Sequence, residues 1–227
     1  MILPDWEQTI TEYAVRVQIG GAFYIKPRFR PRFRIAHMGD TEALDVHGGA
    51  AMPSDLTIFA AKYLVFLDAV IALVVCLWLL YGRQRIDAFR WVVACVIMIV
   101  LAYIFAKIGN GVYSDPRPFV TDHVPPLISH ARDNGFPSDH ALLAAAIVAA
   151  VLFLSPAWSV LFAAIAVLVD WARVGAGLHH VADVLGSSVF VAIAALIAIV
   201  VTPFIVQALV PLLPESWAPR QTEIRQV

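Results

Sequence analysis

The chain predicts an all-α, polytopic membrane helix bundle with about five transmembrane helices and a polar N-terminal extension. Three observations carry that prediction. Of 227 residues, 60% are hydrophobic and only 15% are charged, whereas a soluble domain carries roughly a quarter charged residues. Mean hydropathy is +0.78. The apolar residues also come in long runs: 141–169 holds no charged residue across 29 positions, and 184–213 holds none across 30. A helix needs about 20 apolar residues to cross the hydrocarbon core.

Residues 1–55 are polar, punctuated by Gly and Pro, and form the extension. Positions 8–19 allow a short amphipathic helix. Lys26, Arg28, Arg30, Arg32 and Arg34 alternate with Pro and Phe, a pattern that suits an anionic lipid surface or a solvated, partly disordered tail. The membrane-embedded domain follows over 56–213, and 214–227 form a C-terminal tail. Five spans are expected: 58–81, with Lys62 and Asp68 in its first half, then 90–109, 139–154, 157–173 and 181–202. Pro203 then permits a kink before a last apolar stretch to Leu213.

Several classes are disfavoured. Net charge is −1, so no nucleic acid or other polyanionic partner is implied. Cys76 and Cys95 lie inside apolar runs, so neither a disulfide nor a zinc site is expected. The first 25 residues include Asp5, Glu7, Glu12 and Arg16 and no apolar core segment, so no cleavable signal peptide is expected.

Three polar clusters interrupt the apolar sequence. The first is Lys107 with Arg117-Pro118, the second is Pro137-Ser138-Asp139-His140, and the third runs from Arg173 through His179 and His180 to Asp183. Alternating spans bring all three to one leaflet: the first closes span two, the second opens span three, and the third joins spans four and five. Ionisable groups next to a bilayer are costly, so a chemical role is their default reading. Two arginine forks can hold phosphate oxygens. If the stretch after His179 is helical, His179 and Asp183 share one face, and the carboxylate can orient the imidazole as a nucleophile. His180 stands three before Asp183, which also shares a face, and spacing does not choose between the two histidines. Gly175 and Gly177 allow a tight turn before them. Ser138 or Asp139 suits a helix cap whose N–H groups bind an anion, and His140 a general acid. Lys107 suits a phosphate contact and a lysine snorkelling to the interface equally.

Arg117-Pro118, Pro137-Ser138-Asp139-His140 and the Arg173, His179, Asp183 spacing resemble the three signature motifs of the type 2 phosphatidic acid phosphatase superfamily, over about residues 55–202. Two departures stand out. Asn110 occupies the position where the family's first motif has lysine, and Asp139 replaces the second motif's glycine. Both, with Asp115-Pro116-Arg117-Pro118-Phe119, are similar to bacterial undecaprenyl-diphosphate phosphatases of that superfamily. The resemblance implies a metal-independent, cofactor-free enzyme of the bacterial inner membrane with its site towards the periplasm. It would convert the C55 lipid diphosphate to the monophosphate. Arg117, Arg173, Ser138 and Asp139, helped by Lys107, would hold the phosphate; His179 would attack, oriented by Asp183; His140 would protonate the leaving group.

Charge supports that orientation only in part. Arg83, Arg85, Arg90, Arg220 and Arg225 lie opposite the clusters and suggest a cytoplasmic side there. The basic run over 26–34 lies on the clusters' side and argues the reverse, unless the tail escapes the rule or Met52 is the natural start. Alternatives within the same chemistry are a phosphatase of phosphatidylglycerol phosphate, phosphatidic acid or lipid A, and a lipid phosphotransferase. A different class is an ion-coupled transporter, although the charges gather at span ends rather than near the midplane. His123, His130 and Arg132 fall in the loop between the first two clusters, where solvation is the simpler reading. Asp170 and Trp171 are expected behind the site or at the interface.

Overall fold

The computed structural model describes residues 14–19, 22–27, 54–122 and 125–217. They belong to two compact units, Met1–Gly48 and Gly49–Val227. In the first, strands β1 (Ala14–Ile19) and β2 (Ala22–Pro27) pair antiparallel, with Val15 opposite Lys26 and Val17 opposite Tyr24. The helix expected over 8–19 is therefore absent over 14–19. Val15, Val17 and Ile19 alternate with Arg16 and Gln18, a period of two in β-branched residues. The rest of that segment and the Arg/Phe run lie outside the described residues.

The second unit is helical. Helix α1 (Ser54–Leu80) is followed by α2 (Arg85–Val112), α3 (Asp139–Leu152), α4 (Pro156–Gly175) and α5 (Val181–Leu209). One further helical turn lies at Pro118–Thr121. Four of these helices are long and apolar enough to cross a membrane, and α3 is the shorter apolar one. At 14 residues it is about 21 Å long, less than the roughly 30 Å hydrocarbon core. Ser155-Pro156 sets that limit. Pro156 occupies the first turn of α4, and the Ser155 hydroxyl accepts a hydrogen bond from the Trp158 N–H at 3.4 Å. Pro203 lies inside α5, which runs on seven residues past the expected end at 202.

Small residues decide how closely the helices pack. Along α2, Ala94, Met98, Ala102 and Ala106 recur every four residues and are buried. Met98 and Ala102 meet Val191, Ala194, Ala195 and Ala198 of α5, and the alanines let the two backbones approach as small residues permit inside a membrane. A second cluster joins Val65, Ala72 and Cys76 of α1 to Ala144, Ile147 and Val151 of α3 and to Phe162 and Val169 of α4. Large apolar side chains such as Val70, Leu77, Trp78, Val100 and Leu196 point outward, as lipid-facing residues must. Near its start α1 carries one π-helical turn, Ala60–Leu64. Such a turn breaks the regular carbonyl ladder and is common at functional sites.

Candidate active site

The C-terminus of α4 places the third cluster. Ala176 caps the helix and Gly177 follows at φ +69°. The Gly177 N–H donates to the Val174 carbonyl at 2.9 Å and the Leu178 N–H to the Arg173 carbonyl at 3.2 Å. This is a Schellman ending, which needs a left-handed residue at that position and buries the apolar residue after it; Leu178 is fully buried. Only Gly177 of the two glycines makes the turn, since Gly175 is still helical.

His179 and His180 then precede α5 rather than lying in it. The Asp183 carboxylate accepts the His180 backbone N–H at 2.9 Å, capping the helix. It also lies 3.3 Å from Nδ1 of His179. The expected shared helical face is thus replaced by a capping carboxylate that reaches back to the residue before the cap.

The two nitrogens of His179 have opposite surroundings. Nδ1 faces the Gly135 carbonyl at 3.0 Å and the Asp183 carboxylate at 3.3 Å, both acceptors. Nε2 lies 3.2 Å from Nη1 of Arg117 and 3.2 Å from Nη2 of Arg173, both donors. The proton therefore belongs on Nδ1 and the lone pair on Nε2. Burial holds the imidazole below its usual range; Asp183 pulls the other way, and the two guanidiniums push it further down. It is neutral at neutral pH.

Both arginines are buried and fixed. Arg117 donates through Nε to Asp133 at 2.7 Å and through Nη1 to the Leu178 carbonyl at 3.0 Å. The Arg117 hydrogen bond holds the Asp133 carboxyl below the ordinary carboxylate range. Arg173 donates through Nη1 to the carbonyl of Ala61, in the π-helical turn of α1, at 3.2 Å.

The loop before α3 is pinned from two sides. Asn110, at the family's lysine position, donates to the Phe136 carbonyl at 2.7 Å, and Asn134 donates to the carbonyls of Asn110 and Tyr113 at 3.2 and 3.0 Å. Phe136 stacks edge-on with Tyr113 and Phe190. It can do so only because residue 186 lacks a side chain: a Cβ there would sit 2.8 Å from Phe136 Cζ. Gly135 is equally confined, since its Cβ would come within 3.0 Å of the Asp115 carbonyl and of Asp183 Oδ2.

A cavity of about 290 Å³ opens on these groups, with Lys107, Arg117, Asp139, His140, Arg173 and His179 in its wall. Asn110, His130, Asp133 and Asn134 also line it. One expected ligand does not. Ser138 occupies the cap position of α3 but makes no cap hydrogen bond; it is fully buried and its hydroxyl has no partner among the described residues. Its N–H lies 3.5 Å from the Asp183 carbonyl. The unpaired first-turn N–H groups therefore start at Asp139. Asp183 stands behind His179. Lys107 lines the cavity and rests 5.2 Å from the Tyr103 ring centre. His180 is outside the cavity wall, its Nδ1 3.2 Å from Asp115. Arg132, Asp170 and Trp171 do not line the cavity, and His123 lies outside the described residues.

Sequence reasoning missed Asp115, Asp133, Asn134 and Ala61. Asp115, His180 and Asp183 each offer one ligand atom within 4.8 Å of the others. Burial and the neighbouring Asp183 push the Asp115 carboxyl up. Asp115 and Asn134, both half-buried, were visible in the sequence only as loop residues with no partner to pair them.

Comparison with known proteins agrees with this geometry. Residues 91–207 match the PAP2 superfamily model, and the chain belongs to that superfamily of membrane phosphatases. It is 33% identical to undecaprenyl-diphosphatase BcrC of Bacillus subtilis over 135 residues, 59% of this chain and 67% of that protein. It is 31% identical to bacitracin transport permease protein BcrC of Bacillus licheniformis over 148 residues, 64% of this chain and 70% of that protein. The crystal structure of Aquifex aeolicus LpxE superposes with a TM-score of 0.53 at 19% identity, covering 66% of this chain and 88% of that one. That likeness is one of fold.

Proposed function

We propose that this protein hydrolyses undecaprenyl diphosphate to undecaprenyl phosphate and inorganic phosphate, in the bacterial inner membrane, from a site that faces the periplasm. The observation that carries the reading is the two-sided environment of His179: a protonated Nδ1 held by two acceptors and a bare Nε2 between two guanidiniums. The terminal phosphate enters between Arg117 and Arg173. Nε2 attacks phosphorus, and the bond to the bridging oxygen breaks. The leaving lipid monophosphate takes a proton from the His140 imidazolium, a form that the incoming anion favours. Neutral His140 then takes a proton from water as that water attacks the phosphohistidine, releasing inorganic phosphate. Charge stabilisation by the guanidiniums is the largest contribution, as in phosphoryl transfer generally.

The choice of a diphosphate follows the activity for which the Bacillus subtilis relative is named. It also draws on Lys107 and His130 in the cavity wall, which add donors beyond the arginine pair. The arginines Arg83, Arg85 and Arg90 at the other end of the bundle support the orientation. The transport name borne by the Bacillus licheniformis relative keeps a translocating membrane protein as the second reading.

The test is phosphate release by purified protein in detergent with EDTA, offered undecaprenyl diphosphate, phosphatidic acid or phosphatidylglycerol phosphate. Release from the diphosphate that survives EDTA and disappears in His179→Ala is the expected result. Preference for a monophosphate lipid overturns the substrate and keeps the chemistry. No release from any of the three rejects the hydrolase reading in favour of phosphotransfer or transport.

A further inference from the structure

The end of the bundle away from the catalytic mouth holds a second concavity. Its wall includes Arg83, Asp87, Arg90, Trp91, Thr202 and Pro203, and its volume is about 380 Å³. These residues come from the turn before α2, the start of α2 and the late part of α5, and Phe153 and Leu154 after α3 complete its wall. The catalytic cavity lies at the opposite ends of α2 and α3. Some 17 residues of α2 separate Arg90 from Lys107, about 25 Å at 1.5 Å per residue.

The donor set suits an anion. Arg83 spends one N–H on the Leu154 carbonyl, at 3.4 Å. Arg90 meets Asp87 at 3.7 Å and remains largely exposed. Two guanidiniums against one carboxylate leave a single positive charge. Thr202 points to a ligand independently: it is 8% exposed, and its hydroxyl has no hydrogen-bond partner among the described residues. A helical threonine ordinarily bonds back to the carbonyl one turn earlier, and here it does not. Pro203 has no N–H, so the carbonyl of Ile199, another wall residue, also lacks its helical partner. A buried hydroxyl left this way needs a partner from outside the fold.

An adjoining cavity of about 540 Å³ shares Arg90, Thr202 and Pro203 and continues along Val206, Gln207 and Pro211. A mainly apolar cavity along a lipid-facing helix, with two guanidiniums in its wall, matches the headgroup and first acyl carbons of a lipid better than a free ion. Basic pockets between transmembrane helices recognise anionic headgroups in this way.

We propose that this concavity binds the phosphodiester headgroup of an anionic glycerophospholipid in the leaflet opposite the catalytic mouth. The phosphate sits between Arg83 and Arg90 and accepts the Thr202 hydroxyl. The site is separate from the reaction and does not rest on the substrate proposed above.

The test uses the full chain in detergent, titrated with phosphatidylglycerol, phosphatidylcholine or inorganic phosphate and read by native mass spectrometry and thermal unfolding. Phosphatidylglycerol is retained and raises Tm; phosphatidylcholine and inorganic phosphate do not. Each arginine near a headgroup is worth about fivefold, so Arg83→Gln with Arg90→Gln weakens retention about 25-fold. Phosphatase turnover in the same variant stays unchanged. Thr202→Val, nearly isosteric and safe for the fold, weakens retention about threefold through one lost hydrogen bond. Equal retention by wild type and both variants overturns the proposal. A Tm rise with inorganic phosphate that matches the lipid's, and is lost in the double variant, overturns the lipid assignment in favour of a free anion.

Discussion

Replacing Asp183 by asparagine separates two jobs that a carboxylate behind a histidine can do. In many triads the carboxylate alone fixes the imidazole tautomer, and its amide variant loses about 10⁴-fold in rate. Here the Gly135 carbonyl also accepts from Nδ1, at 3.0 Å against 3.3 Å for Asp183. The tautomer should therefore survive in Asp183→Asn. What is lost is the negative charge that stabilises the imidazole as positive charge develops on it. Asp183 is fully buried, so that charge acts in a poorly screened setting. Exchanging a charged for a neutral hydrogen-bond acceptor there costs about 2–3 kcal/mol, or about 30- to 150-fold in kcat. The fold should hold, because the amide oxygen still accepts the His180 N–H. The amide nitrogen can donate towards Asp115, whose carboxyl lies in the same ligand-sized group. Single-turnover phosphate release, with Tm as the control for folding, reads the effect. A loss below about tenfold, or one of 10⁴-fold or more with Tm intact, would refute the reasoning.

Three further outcomes are expected. Arg117→Lys cannot serve Asp133, Leu178 and the phosphate at once, so kcat/KM should fall about 10- to 100-fold, the worth of a charged hydrogen bond; steady-state kinetics checks it. His179 is held below the ordinary imidazole pKa of 6.5, so kcat/KM should persist as pH drops to that value and decline only below it. Arg117→Gln removes one of the depressing charges and should move the decline to higher pH, which a pH profile or an NMR titration of the histidine would show. Gly186→Ala puts a methyl 2.8 Å from Phe136 Cζ; the overpacking should cost about 1–3 kcal/mol and lower both Tm and activity, measured by thermal unfolding in detergent.

Apolar runs and polar interruptions were enough to read a helical membrane bundle, because a helix that crosses lipid must be long and apolar whatever it packs against. The same logic placed the three clusters at one end. It also placed α3, expected over 139–154 and found over Asp139–Leu152, short because the Ser155 cap and Pro156 follow it. It failed at 14–19, where a period-two pattern in a polar segment was read as helical.

The sequence by itself determined the reagents of the site: two arginines, His140, His179 and Asp183 at spacings that only alternating spans bring together. Which histidine lies between the guanidiniums was decided by tertiary structure. Spacing leaves His179 and His180 equivalent, whereas the Schellman turn at Gly177 and the cap at Asp183 aim one into the cavity and the other at Asp115. The anchors of the arginines were likewise invisible. A backbone carbonyl in the π-helical turn of α1 lies 112 residues before Arg173, and carbonyls carry no residue-type signal; only folding the chain brings one to a guanidinium.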